Sequence, residues 1–508
     1  MKKNHSLSRS YFIGLTLMGV GAMMVTSCAV DGFDDENFES PSGITLEVPT
    51  EEEIVITPSA DGKTQSISWP VVLGAKGYQL TLIDESNPEA PILDNVFVDG
   101  CSYKTDREED VNYKLTFSVV DNPEKNNHGT GEVVVKSFST FTPTYATIPA
   151  DAAGTDLNQY FAENPIPEQA LMENVNYDLE AGGQYYISAP LDFDGYHVTL
   201  RSNSKSNHAK VLFTAEGACI MTTAPMGIKY IDFDVNNTLG GKNGVFGFSK
   251  ETTVASAASI NPTLYKWDGP VIEQPIQIAS CNFDNVDGYF FWDNKVKTCV
   301  MNLVIDNCVV HLTPSTDIKA GVIWTNKGGH INELSITNST FYESPDCTGD
   351  IYYFYQSGMD RVVDVYTDES YAKGVGNKVA YNNSTFYHIG WNQGEWGNYN
   401  GMSGKDYSWW EMQNCIFVDC STKGSVPRRF LHGKQNQPHV LFNYNTYMKA
   451  DGTFQDIKDD GSHEYDLSGT WIEEDPVFAN PAQGDFHISG AGQVAHKTGD
   501  PRWLPTAE

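Results

Sequence analysis

Asn307-Cys308-Val309-Val310, Asn338-Ser339-Thr340-Phe341, Asn383-Ser384-Thr385-Phe386 and Asn414-Cys415-Ile416-Phe417 repeat one phrase: an asparagine, a small residue, a variable one and an apolar one. Two looser copies, Ser280-Cys281-Asn282-Phe283 and Tyr444-Asn445-Thr446-Tyr447, extend the series at both ends. From position 280 to 307, 338, 383, 414 and 444 the steps are 27, 31, 45, 31 and 30 residues. A step between about 20 and 50 residues marks a stacked repeat, in which each unit buries its apolar face only against its neighbours.

The segments between these phrases, from Tyr185 onward, are short and β-rich, with no amphipathic helix between them. That texture predicts a parallel β-helix, each coil laying its strands over those of the coil before. Asparagine suits a bend between two strands, because it tolerates the left-handed conformation and its side chain can bond nearby backbone groups. The column of bends is expected to form a ladder. Phe283, Val310, Phe341, Phe386, Phe417 and Tyr447 are expected to form one core row, with Cys281, Cys308 and Cys415 as small buried apolar residues beside it. Strands at Ile187, Val198-Thr199-Leu200, Val211-Leu212-Phe213 and Ile228 to Phe233 supply the first coils. A short helix from Thr155 to Asn164, with Leu157, Tyr160 and Phe161 on one side, is expected to cap the open end.

Upstream the texture differs. Ser66-Ile67-Ser68-Trp69, Gly77 to Ile83 and Tyr113 to Val120 alternate with period two, separated by turns such as Asp61-Gly62 and Asp99-Gly100. Half-buried strands of that kind over about 100 residues, with an early Trp and a late Tyr, predict an immunoglobulin-like sandwich over 44–146. Pro143 to Pro149 reads as a hinge, and 150–508 as the β-helix, so the chain is all-β.

The chain starts with Lys2, Lys3 and Arg9, an apolar run from Tyr11 to Val25, and Val25-Thr26-Ser27-Cys28. A basic start, a short apolar core and small residues before a cut site describe a signal peptide over 1–27. The segment 28–43 is an acidic tether with Asp31, Asp34, Asp35, Glu36 and Glu39. Removing 1–27 deletes three of the 33 basic side chains and none of the 66 acidic ones, taking the net charge from −33 to −36. Such a surface repels nucleic acid and anionic lipid, so neither is expected as a partner. Polyanionic glycans would approach only through calcium or a local basic patch. No Cys/His cluster has zinc spacing, no cofactor is expected, and calcium is left open. Beyond Cys28 an even number of cysteines remains, which permits disulfides in an exported chain.

These residues carry resemblances. The leader resembles a bacterial lipoprotein lipobox, which implies lipidation of Cys28 and an acyl anchor in the outer membrane. The acidic tether resembles the export signal of Bacteroidetes surface lipoproteins, which implies a cell-surface location. The 44–146 segment, with Trp69 and Tyr78 as core aromatics and Tyr113 as a tyrosine corner, resembles a fibronectin type III domain. From about residue 150 the chain resembles right-handed β-helix proteins with a pectate-lyase-like fold. Its ending, Asp475-Pro476-Val477-Phe478 through Gly484-Asp485-Phe486 to Asp500-Pro501-Arg502-Trp503, resembles the closing segment of uncharacterised β-helix lipoproteins of Bacteroides.

The 45-residue step marks a coil with an insertion, and insertions in solenoids collect on one face, often the binding face. That coil and the next contain Tyr352, Tyr353, Tyr355, Asp360, Arg361 and Asp364, then Trp391 to Gly401 with Trp396 and Tyr399, then Lys405, Asp406, Trp409 and Trp410. Aromatics interleaved with Gly, Asn and acids suit a sugar platform, since ring faces pack on pyranose C–H groups while amides and carboxylates bond hydroxyls. The alternative is that the same rings pack the coil wall. Trp391, Trp396, Tyr399, Trp409, Trp410, Tyr353 and Tyr355 are the expected glycan contacts. The pectate-lyase resemblance implies an Arg or Lys base, for which Arg428, Arg429 and Lys405 are the candidates, with His432, Lys434 and Lys423 nearby. The Asp-Asp pair and Gly-His-Gly stretch of polygalacturonase-type hydrolases do not appear in the right context. Three readings stand: a surface lipoprotein that binds polysaccharide alongside other glycan-utilisation lipoproteins, a polysaccharide lyase acting on a uronate-containing glycan, and a non-catalytic adhesin or stalk.

Overall fold

The computed structural model describes residues 41–59, 63–259, 267, 269–357, 377–398, 408–431, 439–457 and 465–506. The chain separates into two compact units that part between Ser139 and Thr140.

In the first unit the period-two segments become two antiparallel sheets. One orders Val55–Pro58, Thr64–Ser68 and Ser102–Asp106; the other orders Leu93–Val98, Gly77–Asp84, Asn112–Val120 and Val134–Ser139. Alternation sends Ile67 from one sheet and Leu80, Leu82, Leu115 and Phe117 from the other into a single core. Trp69 lies edge-on to Tyr78 and Phe117, at 5.3 and 5.1 Å. The buried Tyr113 hydroxyl accepts the Glu108 amide proton at 2.9 Å, closing the corner before its strand.

In the second unit successive strands pass in turn to three parallel sheets. Val198–Ser202, Ala209–Phe213 and Ile220–Thr222 make one coil, and Met226–Lys229, Ile231–Asp234 and Gly244–Phe248 lie over them as the next. Among the described residues the sheets hold eleven, ten and seven strands. This is a parallel β-helix. Bends between the eleven- and ten-stranded sheets are left-handed at Ser280, Asn307, Asn338, Asn383, Asn414 and Tyr444, with φ between 47 and 53°. Tyr230, at φ 58°, makes an earlier bend of the same kind that its side chain gave no cause to expect.

The ladder at these bends is a backbone one. Asn307, Asn338 and Asn383 each donate their amide to a carbonyl of the next coil, that of Thr337, Asn382 and Gln413 in turn. Their side chains do not form the backbone-bonded column expected of them: Asn307 donates to Ser280 Oγ and Asn338 to Asp306 Oδ1, while Asn414 reaches a backbone oxygen, that of His496. The core row forms in register from Phe233 through Phe283, Val310, Phe341, Phe386 and Phe417 to Tyr447. Rings stack along it, Phe386 on Phe417 at 4.9 Å. Cys281, Cys308 and Cys415 are buried beside the row, and the cysteines among the described residues are all free.

Residues 140–146, expected in the sandwich and its hinge, belong to the solenoid. Ala146–Ile148 is the first strand of the eleven-stranded sheet. Thr142 is held by the buried Arg201, whose Nε donates to Asp178 at 2.7 Å. The helix Leu157–Glu163 is capped by Asp156 and sets Phe161 against Tyr177 and Phe193 of the first coil. No described helix is long and apolar enough to cross a membrane.

Candidate functional site

Counting from each bend places the polar residues. Five residues before the bends lie Glu333, Lys378, Trp409 and His439, paired strand to strand along the eleven-stranded sheet. Three before them lie Ser335, Ala380, Glu411 and Leu441, also in register. On the strands of Glu333, Lys378 and Trp409 the alternation turns these positions away from the core, because Leu334, Val379 and Trp410 between them are buried; on the last strand Val440, between His439 and Leu441, is exposed as well. Glu333, Lys378, Trp409, Glu411, His439, Val440 and Leu441 border an open groove of about 460 Å³ on the flank of the last coils. Trp409 stacks on His439 with ring centres 4.7 Å apart. Lys378 Nζ lies 2.9 Å from Glu411 and 3.8 Å from Glu333. Burial pushes the Glu411 carboxyl up, but Lys378, Gln413 and Asn382 outweigh it and hold the group below the usual carboxylate range.

Five residues after the bends lie Glu343, His388, Asp419 and Lys449, at the corner where the ten-stranded sheet ends. His388 Nδ1 meets Asp419 Oδ2 at 2.5 Å across one coil step, and both residues have left-handed backbones. The His388 ring stacks on Trp391 at 4.8 Å, and Trp391 Nε1 donates to Glu343 Oε2 at 3.2 Å. Burial and the neighbouring Asp350 push the fully buried Glu343 well above the usual range. Burial also lifts Asp350 to about 6, although the Asn392 and Gly390 amides donate to it. Above this column the turns after Val418 and Met448 enclose a cleft of about 520 Å³, its walls carrying Asp419, Arg428, Lys449, Asp451, Asp456 and Tyr465. Arg428 comes from the short helix Val426–Phe430, which packs on Glu395–Asn398.

The expected platform is not one surface. Trp396 is 1 % exposed and packed among Phe354, Phe386 and Phe417. Trp410 is equally buried against Phe430, and Tyr355 is 0 % exposed. Their faces are covered, so none of the three can stack on a sugar; strand alternation turned them inward. Tyr353 and Trp391 are half-buried, and Trp391 has given one face to His388. Trp409 is half-buried and borders an open groove, which Trp410 also meets but with its side chain buried. Arg429 donates to Glu395 at 2.8 Å, a carboxylate shared with Lys423, so it is committed to an ion pair and not placed as a base. Cys28, Tyr399, Lys405, Asp360, Arg361, Asp364, His432 and Lys434 lie outside the described residues, as do 1–27 and most of the tether.

Lys378, Glu333, Glu411, His439, His388 and Asp419 were not singled out in the sequence, although a count of five or three from each bend reaches them. A third open groove, on the outer face of the first coils of the ten-stranded sheet, carries Asp232, Asp234 and Asp284, each already bonded by His208, Asn285 or His311. Among the described residues no group of three His, Cys, Asp or Glu side chains is placed to hold a metal ion.

Three family models match the chain in succession, each described as a domain of unknown function: DUF4992 over residues 1–182, DUF4957 over 183–344 and DUF5123 over 379–503. The seams between them cut one continuous solenoid, and the insertion-bearing coil falls in the gap after residue 344. No curated protein and no solved structure matches.

Proposed function

We propose that the protein is a lipid-anchored surface protein that binds polysaccharide along the flank of its β-helix. The observation that carries this reading is the outward column Glu333, Lys378, Trp409 and His439 on successive coils. Strands repeat about every 4.8 Å, close to the length of one pyranose unit, so a glycan laid along the axis meets one side chain per coil. Trp409, with one face stacked on His439, supplies the rest of its apolar ring surface, while Lys378, Glu333 and Glu411 supply donors and acceptors for hydroxyls. The Cys28 lipobox resemblance supports an acyl anchor in the outer membrane, and the acidic tether supports the cell surface of a Bacteroidetes cell. The antiparallel first unit, with its Tyr113 corner, supports a fibronectin III-like spacer. The parallel coils support a right-handed, pectate-lyase-like solenoid.

The test is affinity electrophoresis of the protein lacking residues 1–28 through gels containing a panel of plant and host polysaccharides. Trp409→Ala should weaken retardation at least tenfold while leaving the melting temperature within a few degrees, because the ring lies outside the core. Trp396→Ala should lower stability by about 3–5 kcal/mol, as core aromatics do. Undiminished retardation of the Trp409 variant would reject the groove. A lyase reading is favoured by one observation, that Arg428 lines the cleft. It predicts unsaturated uronate products, detected by their ultraviolet absorbance, when the protein is incubated with uronate polymers and calcium.

A further inference from the structure

We propose that the corner cleft is a second sugar site, taking one uncharged pyranose, either the end of a glycan chain or a free monosaccharide. The proposal rests on the polysaccharide-binding reading and goes beyond it in naming a separate site and its ligand class. The cleft is bounded by the turns of two successive coils, one strand step apart, so its length along the axis suits a single ring. Its volume of about 520 Å³ lies within the roughly 300–1,000 Å³ usual for small-ligand sites. Three carboxylates, those of Asp419, Asp451 and Asp456, and two cations, Arg428 and Lys449, line the cleft together. That mixture bonds hydroxyls as both acceptor and donor, and its excess of negative charge opposes a uronate.

The site is also held in place. Asp419 is fixed by His388, and His388 by the Trp391 face, whose N–H is tied to buried Glu343. Gln455, on the cleft wall, accepts the Val426 amide proton at 2.7 Å and donates to the Cys420 carbonyl at 2.7 Å, joining the two turns. Asp451 accepts both the amide and hydroxyl protons of Thr453, which sets its turn. A wall pinned from several sides loses little freedom when a ligand binds. Trp391 is thereby a positioning residue, acting on the cleft through His388 and Asp419.

Saturation-transfer NMR on the protein lacking residues 1–28 tests this with glucose, galactose, mannose and xylose, with glucuronate and galacturonate, and with the polysaccharides retained in the gels. At least one neutral monosaccharide should show transfer, and Asp419→Asn and Arg428→Gln should each weaken it at least tenfold. Asparagine keeps the left-handed backbone of position 419, so the first variant retains the fold. Trp391→Ala should weaken binding several-fold and Trp391→Phe should restore most of it, which a purely structural role would not predict at unchanged melting temperature. Transfer to the polysaccharide end residue but not to a free sugar would identify a chain terminus as the ligand. Absence of transfer from every neutral sugar and chain end, preference for the uronates, or undiminished transfer in Asp419→Asn and Arg428→Gln would overturn the proposal. Trp409→Ala separates the two sites: it should weaken gel retardation at least tenfold yet leave intact the transfer to whichever neutral sugar or chain end the parent binds. Loss of retardation in Trp409→Ala, with no transfer to any neutral monosaccharide or chain end in the parent, would leave the groove standing and reject the cleft.

Discussion

His330 lies wholly inside the solenoid with Nε2 3.1 Å from Asn377 Oδ1, and burial pulls its pKa down to about 4. In the unfolded chain the group titrates near 6.5, so the unfolded state takes up the proton that the folded state refuses. The stability involved is present above pH 6.5 and is lost as pH falls toward 4, up to about 3 kcal/mol at about 1.4 kcal/mol per unit. Asp350 runs the other way: raised to about 6, it stabilises below the ordinary carboxylate range, and that contribution disappears as pH rises through 6. Melting curves of the parent and of His330→Gln at pH 7 and pH 4.5 isolate the histidine, since Asp350 is common to both. The parent should lose more stability on acidification than the variant, and equal losses would show that His330 is not the group responsible. At this scale the sequence was least legible. His330 sits in no motif, and only the coil closing over it removes water from the ring.

The bends and the row behind them belong to the scale of the element. Asn383 holds φ 47°, a region that costs an ordinary residue about 1–2 kcal/mol, so Asn383→Ala should destabilise by roughly that amount while Asn383→Gly stays near the parent. Phe386, stacked on Phe417 and 0 % exposed, should cost about 3–5 kcal/mol when replaced by Ala. Chemical denaturation read by circular dichroism orders the three; a Gly variant as weak as the Ala variant would mean that the side chain, not the backbone angle, holds the bend. The recurring asparagine made these bends legible, and the apolar residue three places on made the core row legible. Ser280, Tyr444 and Tyr230 show the limit, because neighbouring coils impose the same angle on residues that do not favour it. Trp409 and Trp410 look alike in the sequence as platform residues, yet adjacent strand positions face opposite ways, and the register of the column decides which one turns out.

For the whole solenoid the decisive piece is the closing segment, which lies along the outer face of the ten-stranded sheet. Asp500 accepts from Thr340 Oγ1 at 2.8 Å, Trp503 Nε1 donates to the same hydroxyl, and Arg502 reaches back to Asn307 Oδ1 at 2.7 Å. Phe478 and Ile488 pack with Ile416, Val418 and Met448, Phe486 lies against Tyr342 and Tyr387, and the outward residues Thr340, Thr385, Ile416 and Thr446 have no exposure. A chain ending at Glu474 should therefore melt several degrees lower than the parent and bind a hydrophobic dye, whereas an unchanged melt and no dye binding would show the segment to be dispensable. The all-β class, the parallel coils, the bend positions and the core row are legible in the residues alone, because each is a local preference repeated at a fixed step and every copy reinforces the same register. Tertiary structure alone decided that residues 140–146 join the solenoid, that Trp396, Trp410 and Tyr355 are core, and that His388, Asp419 and Arg428 gather at one corner. Those outcomes depend on which coil lies over which and on what covers each face, and distances of that kind are fixed only when the whole stack closes.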